Sequence, residues 1–168
     1  ADVIISGAGL PMNLPELIGK SSVKIAPIVS SRRATQLILK MWAHRYGRTA
    51  DFIVVEGPKA GGHLGFSREQ LADMENLDYD AEIKDIISCK KIYEEMFNTK
   101  IPVIVAGGIF DRQDIDHVIE LGADGVQIAS RFVATAECDA SDAYKQAYID
   151  AGKEDIQIIQ SPVGMPGR

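Results

Sequence analysis

Cysteine is scarce in this chain. Cys89 and Cys138 are its two cysteines in 168 residues, they lie far apart and neither belongs to a C-x-x-C pair, which argues against a metal knuckle and a redox dithiol and leaves two free thiols in a reducing compartment. Histidine is scarce too: His44, His63 and His117 supply no i, i+4 pair, so no zinc site is expected. Basic charge is not in surplus. Eighteen Lys and Arg against 24 Asp and Glu leave a net charge of −6, so the chain has no field to attract a phosphodiester backbone, and nucleic acid is not expected as a partner. Any phosphate must be held by local backbone dipoles. No apolar run approaches the ~20 residues of a membrane span and no basic-then-apolar signal opens the chain, so a cytoplasmic protein without a membrane partner is expected. No long-period repeat, low-complexity stretch or Pro/Ser-rich linker divides the sequence, and 46% apolar residues suffice for one sizeable core in one domain.

What is present is a regular alternation. Five short β-branched segments recur: Val3-Ile-Ile5, Val23 to Val29, Phe52-Ile-Val-Val55, Ile101 to Val105 and Gly125-Val-Gln-Ile128. Between them lie helical patterns. Ala34, Leu37, Ile38, Met41, Trp42 and Tyr46 form one apolar stripe, with Ser30 or Ser31 as cap. A second helix is predicted from about Asp80 to Asn98. A third begins at Asp111, whose carboxylate can accept first-turn amides, and stops at Gly122. This β-α-β-α order implies an α/β fold with a parallel sheet and right-handed crossovers, either a barrel or an open doubly wound sheet. The longest interruption, Gly57 to Asp80, reads as a loop plus one short helix that Ser67 and Gln70 cap reciprocally. Interruptions of this length are usually functional.

That interruption carries the sharpest chemical signal. Glu56-Gly-Pro-Lys-Ala-Gly-Gly-His-Leu-Gly-Phe66 puts four glycines and one histidine directly after a strand; glycine packs nothing in a core but lets a flat ligand approach the backbone. His63 is therefore a candidate catalytic group, with a hydrogen-bonding strut as the alternative. Glu56 ends the strand and either faces the ligand or bonds loop amides at the rim. The next two strands end in small residues, Ala106-Gly107-Gly108 and Ala129-Ser130, and paired tips of this kind after successive parallel strands form a recurrent phosphate site. Ordinary turn chemistry favours the same residues. Arg131 and Lys59 either neutralise that phosphate or serve as rim charges, and Asp124 reads as a turn residue entering a strand. His44 and His117 read as solvated surface residues.

With Ala60-Gly-Gly-His63, Ala106-Gly-Gly-Ile109, Gly122-Ala-Asp-Gly-Val-Gln-Ile-Ala-Ser-Arg-Phe132 and the tail Ser161-Pro-Val-Gly-Met-Pro-Gly-Arg168 in one order, the chain resembles the nitronate monooxygenase family over nearly its whole length. The resemblance implies an FMN-dependent (β/α)8 TIM barrel, with the FMN phosphate at tips that map to Gly107, Gly108, Ala129 and Ser130. The usual family form of the last tip is Gly-Thr-Arg-Phe; Ala129-Ser130 keeps an amide and a hydroxyl but adds a methyl. His63 matches the family's active-site base toward a nitroalkane, Gly61 and Gly62 flank it beside the flavin, and Glu56 matches a variable polar position near the ring. The implied reaction oxidises a small-molecule nitronate or nitroalkane with O2. The alternative is the flavin-dependent enoyl-acyl-carrier-protein reductase, which shares Ala-Gly-Gly-His and passes hydride from a nicotinamide cofactor through FMN to an enoyl thioester; Pro58-Lys59 departs from the small-acidic pair common in that reductase.

Five strand segments match strands four to eight of the family barrel, whereas closure takes eight. Residues 1–168 are thus expected to form the C-terminal part of a single FMN-binding barrel domain, as an incomplete barrel or an open parallel sheet whose edges a second copy shields in a homodimer. A third reading, of another class, is an inactive fragment or a flavin- or phosphate-binding module.

Overall fold

All five apolar segments form strands: β1 (Val3–Ser6), β2 (Lys24–Val29), β3 (Ile53–Glu56), β4 (Val103–Ala106) and β5 (Gly125–Gln127), every neighbouring pair parallel and in the spatial order β1-β2-β3-β4-β5. The structure is a computed structural model and describes residues 1–162 and 164–168; Val163, within the predicted tail motif, lies outside the described residues. Sequence order and spatial order coincide. A doubly wound sheet reverses its order at a switch point; this one does not, and it forms an incomplete barrel with β1 and β5 as open edges.

Helices follow the strands: α1 (Leu14–Ile18), α2 (Arg32–Tyr46), the trio α3 (Arg68–Ala72), α4 (Tyr79–Cys89) and α5 (Lys91–Phe97), then α6 (Arg112–Glu120), α7 (Ser130–Val133) and α8 (Asp142–Asp150). Among the described residues no helix is long and apolar enough to cross a membrane. Register divides the sheet into two faces. Ile25, Val29, Ile53, Val55, Val103 and Val105 pack on Ile38, Leu39, Trp42, Ile83, Ile86 and Val118 of the helices. On the other face Ile5, Val54 and Ile104, with Phe52 and Phe132, border an open groove, and Phe132 is 59% exposed. This second face is the one a closed barrel turns inward.

Local signals set the helix starts. Ser31 accepts the Ala34 amide at 3.2 Å, and α2 ends at Gly47 with φ of 60°. The buried Trp42 indole N–H donates to the Pro11 carbonyl at 3.2 Å, clamping the loop after β1 onto α2. Ser67 and Gln70 form the reciprocal cap of α3. Asp111 caps α6 together with Asp114, and the turn beyond that helix is made by Gly122 at φ of 103°. The single helix expected over Asp80–Asn98 is instead two, meeting at Lys90. Lys90 is buried, and its ammonium donates to Glu94 at 2.6 Å while the same carboxylate accepts the Ile101 amide at 2.7 Å, which ties α5 to the approach to β4. Asp124 accepts the Val103 amide at 2.8 Å and so pins β5 beside β4, the turn role expected of it.

At the opposite end of the sheet Asp51 accepts the Ile25 amide at 2.9 Å and pairs with Lys24 at 3.0 Å and Arg48 at 2.6 Å. Burial pushes its carboxyl up, but the amide and the two cations outweigh this and hold it below its ordinary value. A carboxylate lowered in the fold stabilises above its unfolded pKa, and that contribution disappears as pH falls through the folded value. Asp51→Asn should therefore lower the urea midpoint at pH 7, and the gap from wild type should close below about pH 4; a gap independent of pH would contradict this.

Candidate functional site

The carboxyl ends of β3, β4 and β5 converge. Glu56, Ala106 and Gln127 sit side by side on the inward face, because Glu56 pairs with Ala106 and Ala106 with Gln127 in register. The end of β3 is fixed from behind: the Tyr79 hydroxyl donates to the Glu56 carbonyl at 2.8 Å, and the Gly57 amide donates to the Ala106 carbonyl at 2.9 Å. Tyr79 is largely buried, and desolvation pushes its phenol far above its ordinary value, so it stays a neutral donor. Half-burial also raises the Glu56 carboxyl, which favours a protonated form more than an exposed glutamate has.

Above these ends lies a cavity of about 420 Å³ lined by Glu56, Lys59, Ala60, Gly61, Gly62, the run Ala106 to Phe110, Gln127, Ala129, Ser130, Val133, Tyr148 and Arg168. Gly107 and Gly108 both take left-handed backbone, at φ of 90° and 87°, where a side chain is strained. A methyl on Gly107 would come within 2.8 Å of the Ala60 amide nitrogen, so this tip packs directly on the loop after β3. A methyl at Gly61 or Gly62 meets nothing within 4 Å, which leaves open space above that loop. α7 has only four residues; what it offers the cavity is exposed backbone and the Ser130 hydroxyl.

His63 lies in the adjoining cavity of about 160 Å³, with Glu56, Leu10, Ile28, Ser30 and Met165 among its lining residues. Glu56 thus borders both spaces. The backbone around His63 is held by the tail, where β6 (Ile159–Gln160) pairs antiparallel with β7 (Pro166–Gly167). His63 bridges to Gly167, flanked by Leu64 N–H to Pro166 O at 2.8 Å and Arg168 N–H to Gly62 O at 2.9 Å. The imidazole itself is exposed.

All the sequence-predicted cofactor positions, Glu56, Gly61, Gly62, Gly107, Gly108, Ala129 and Ser130, therefore meet around one space, with His63 next to it. Lys59 lines that space as well. Arg131 does not: it donates to the Phe110 carbonyl at 3.0 Å and lies 5.0 Å over the Phe110 ring. His44 is exposed, and His117 is exposed but paired with Asp80 at 3.0 Å. Sequence reading did not single out Gln127, Tyr148 or Arg168. Gln127 is detectable in principle, as a polar residue at an inward position between Val126 and Ile128; the other two arrive through tertiary contacts alone.

A singly wound parallel sheet with a glycine-lined space at its carboxyl edge defines a barrel-type α/β architecture. The chain belongs to the nitronate monooxygenase family, whose model matches residues 1–168. It is 32% identical over 121 residues to a probable nitronate monooxygenase of Staphylococcus aureus strain Newman, covering 70% of this chain and 31% of that protein. It is 26% identical over its full length to (3aS,4S,5R,7aS)-5-hydroxy-7a-methyl-1-oxo-octahydro-1H-indene-4-carboxyl-CoA dehydrogenase of Mycobacterium tuberculosis, covering 46% of that protein. Among solved structures, FabK from Thermotoga maritima superposes with a TM-score of 0.72 at 26% identity, over 98% of this chain and 45% of that one. The chain thus spans less than half the length of these relatives.

Proposed function

We propose that this chain is the C-terminal part of a single (β/α)8 barrel domain that binds FMN and oxidises alkyl nitronates or nitroalkanes with O2. The observation that carries the reading is the convergence of both glycine tips, Glu56 and the Ala60-Gly61-Gly62-His63 loop on one pair of adjoining cavities. A space of about 420 Å³ is within the size range of ligand sites. The open ground above Gly61 and Gly62 suits a flat ring, and the Gly107-Gly108 and Ala129-Ser130 tips suit a phosphate. When bound, FMN supplies the electron acceptor. His63 takes the α-carbon proton of a neutral nitroalkane onto a ring nitrogen, leaving the nitronate anion, and so acts as general base. Tyr79 holds the Glu56 backbone, and Glu56 presents its carboxyl between the two spaces. The partners are a small-molecule substrate and O2.

The enoyl-thioester reduction with a nicotinamide cofactor is the second reading, favoured by the likeness to FabK. Lys59 speaks against it, as the residue before the loop's alanine where that reductase commonly has an acid. The discriminating experiment gives the flavin-loaded protein propyl-2-nitronate under air and, separately, an enoyl thioester with NADH or NADPH. Oxygen uptake with the nitronate and no thioester-dependent loss of nicotinamide absorbance is the expected pattern; the reverse pattern replaces the first reading by the second.

A further inference from the structure

Two cations, Lys59 and Arg168, line the larger cavity, and Lys59 also faces the neighbouring space that Asp78, Asp80 and Asp114 border, where it helps lower the Asp114 carboxyl. Among the described residues neither cation forms an ion pair. The Lys59 stem lies against the second glycine tip: a methyl on Gly108 would meet Lys59 Cδ at 3.0 Å. Arg168 is partly buried. Among the described residues its Nε, shielded from solvent, has no acceptor, and its terminal amino group donates to the Met74 sulfur at 3.3 Å. A thioether is a weak acceptor, and a partly desolvated guanidinium without an oxygen partner is costly. The position of this side chain is not incidental, because the Arg168 backbone is locked to Gly62 by hydrogen bonds of 2.9 and 3.1 Å. The tail therefore brings Arg168 to the lining of the space between the β3 loop and the glycine tips, with its guanidinium resting against Met74. The lining holds one acid, Glu56, at the end of β3.

We propose that Arg168, with Lys59 beside it, is the cationic wall of the phosphate site and selects for a phosphate monoester dianion. The inference rests on the flavin reading above and extends it, since backbone amides at the glycine tips position a phosphate but provide no full charge to neutralise it. In a chain of net charge −6, these two cations against the Glu56 carboxyl are the charge the lining can offer a dianion. Arg131, the nearer cation in sequence to the Ser130 tip, is occupied with Phe110.

The test is flavin binding by the full polypeptide, followed by quenching of flavin fluorescence, with FMN and with riboflavin, which lacks the phosphate. Arg168→Gln should weaken FMN about 10–100-fold while changing riboflavin less than about twofold, and should flatten the salt dependence of FMN binding. Arg168→Lys should recover part of the loss. Lys59→Gln, on an exposed side chain that leaves the fold untouched, should cost FMN about threefold and riboflavin nothing. Equal losses for both flavins would assign Arg168 a structural role in the tail and overturn the proposal, as would FMN affinities unchanged in both Gln variants. A wild-type protein that binds neither flavin overturns the flavin reading itself.

Discussion

Gly108→Asp is expected to abolish FMN retention in a protein that still folds. The position has φ of 87°, a region that aspartate tolerates better than most side chains. The nearest atoms to the new Cβ are those of the Lys59 side chain, at 3.0 Å from Cδ and 3.1 Å from Cβ, so that stem must give by a few tenths of an ångström, a local cost that circular dichroism separates from unfolding. The carboxylate, however, enters the space proposed for a dianion. Like charges about 4 Å apart repel by roughly 1–4 kcal/mol per charge pair, depending on how much water remains, and the new carboxylate also competes for the Lys59 ammonium. Asp124→Asn, at a residue that bonds the Val103 amide away from the cavity, should keep the flavin. The check is the ratio of flavin to protein absorbance after gel filtration, with circular dichroism to confirm the helices. A folded Gly108→Asp protein with wild-type FMN content would reject the phosphate site.

The second large effect concerns the base. His63→Asn should leave FMN bound and slow turnover of neutral nitroalkanes by about 10²–10⁴-fold, the usual worth of general-base catalysis. Preformed nitronate anions should lose far less, because the proton has already gone. The imidazole is exposed, and the backbone is held through Gly62, Leu64 and Gly167 rather than through the ring, so the substitution removes chemistry without removing structure. Steady-state kinetics on 2-nitropropane and on its nitronate give the two numbers. Equal losses on both substrates would make His63 a binding residue, and no loss on either would remove it from the mechanism.

The parts legible in the sequence are those that local physics determines. The caps at Ser31, Ser67 with Gln70, and Asp111 with Asp114 join residues three apart, so a sequence motif is almost the structure itself. The five strands announce themselves because the central ones carry apolar residues toward both faces, one packed on the helices and one bordering the groove, and so read as unbroken apolar runs. The glycine tips were legible as strand-end signals, and register then brings them together. α8 was not anticipated: Ala143, Tyr144, Ala147 and Tyr148 recur at helical spacing, but the segment is short and none of its residues is buried. The tail was legible as a motif but not as a structure. Its two-residue strands have almost no intrinsic propensity, and its partner, the Gly62 to Leu64 loop, lies about a hundred residues away in sequence. Arg168 belongs to the site only through that pairing. Arg131 shows the reverse: its place beside Ser130 suggests a phosphate contact, yet the Phe110 carbonyl and ring claim its guanidinium.

The central claim is that the phosphate of FMN sits between the Gly107-Gly108 and Ala129-Ser130 tips, with the ring extending over Gly61 and Gly62 toward His63. A crystal structure of the full polypeptide with FMN tests it most directly. The account predicts phosphate oxygens within hydrogen-bonding distance of the backbone amide of Gly108 and of Ser130, and an Arg168 guanidinium turned from Met74 onto the phosphate. Flavin bound in the opposite orientation, with its phosphate away from both tips, would contradict it, and so would saturating FMN that leaves this cavity empty.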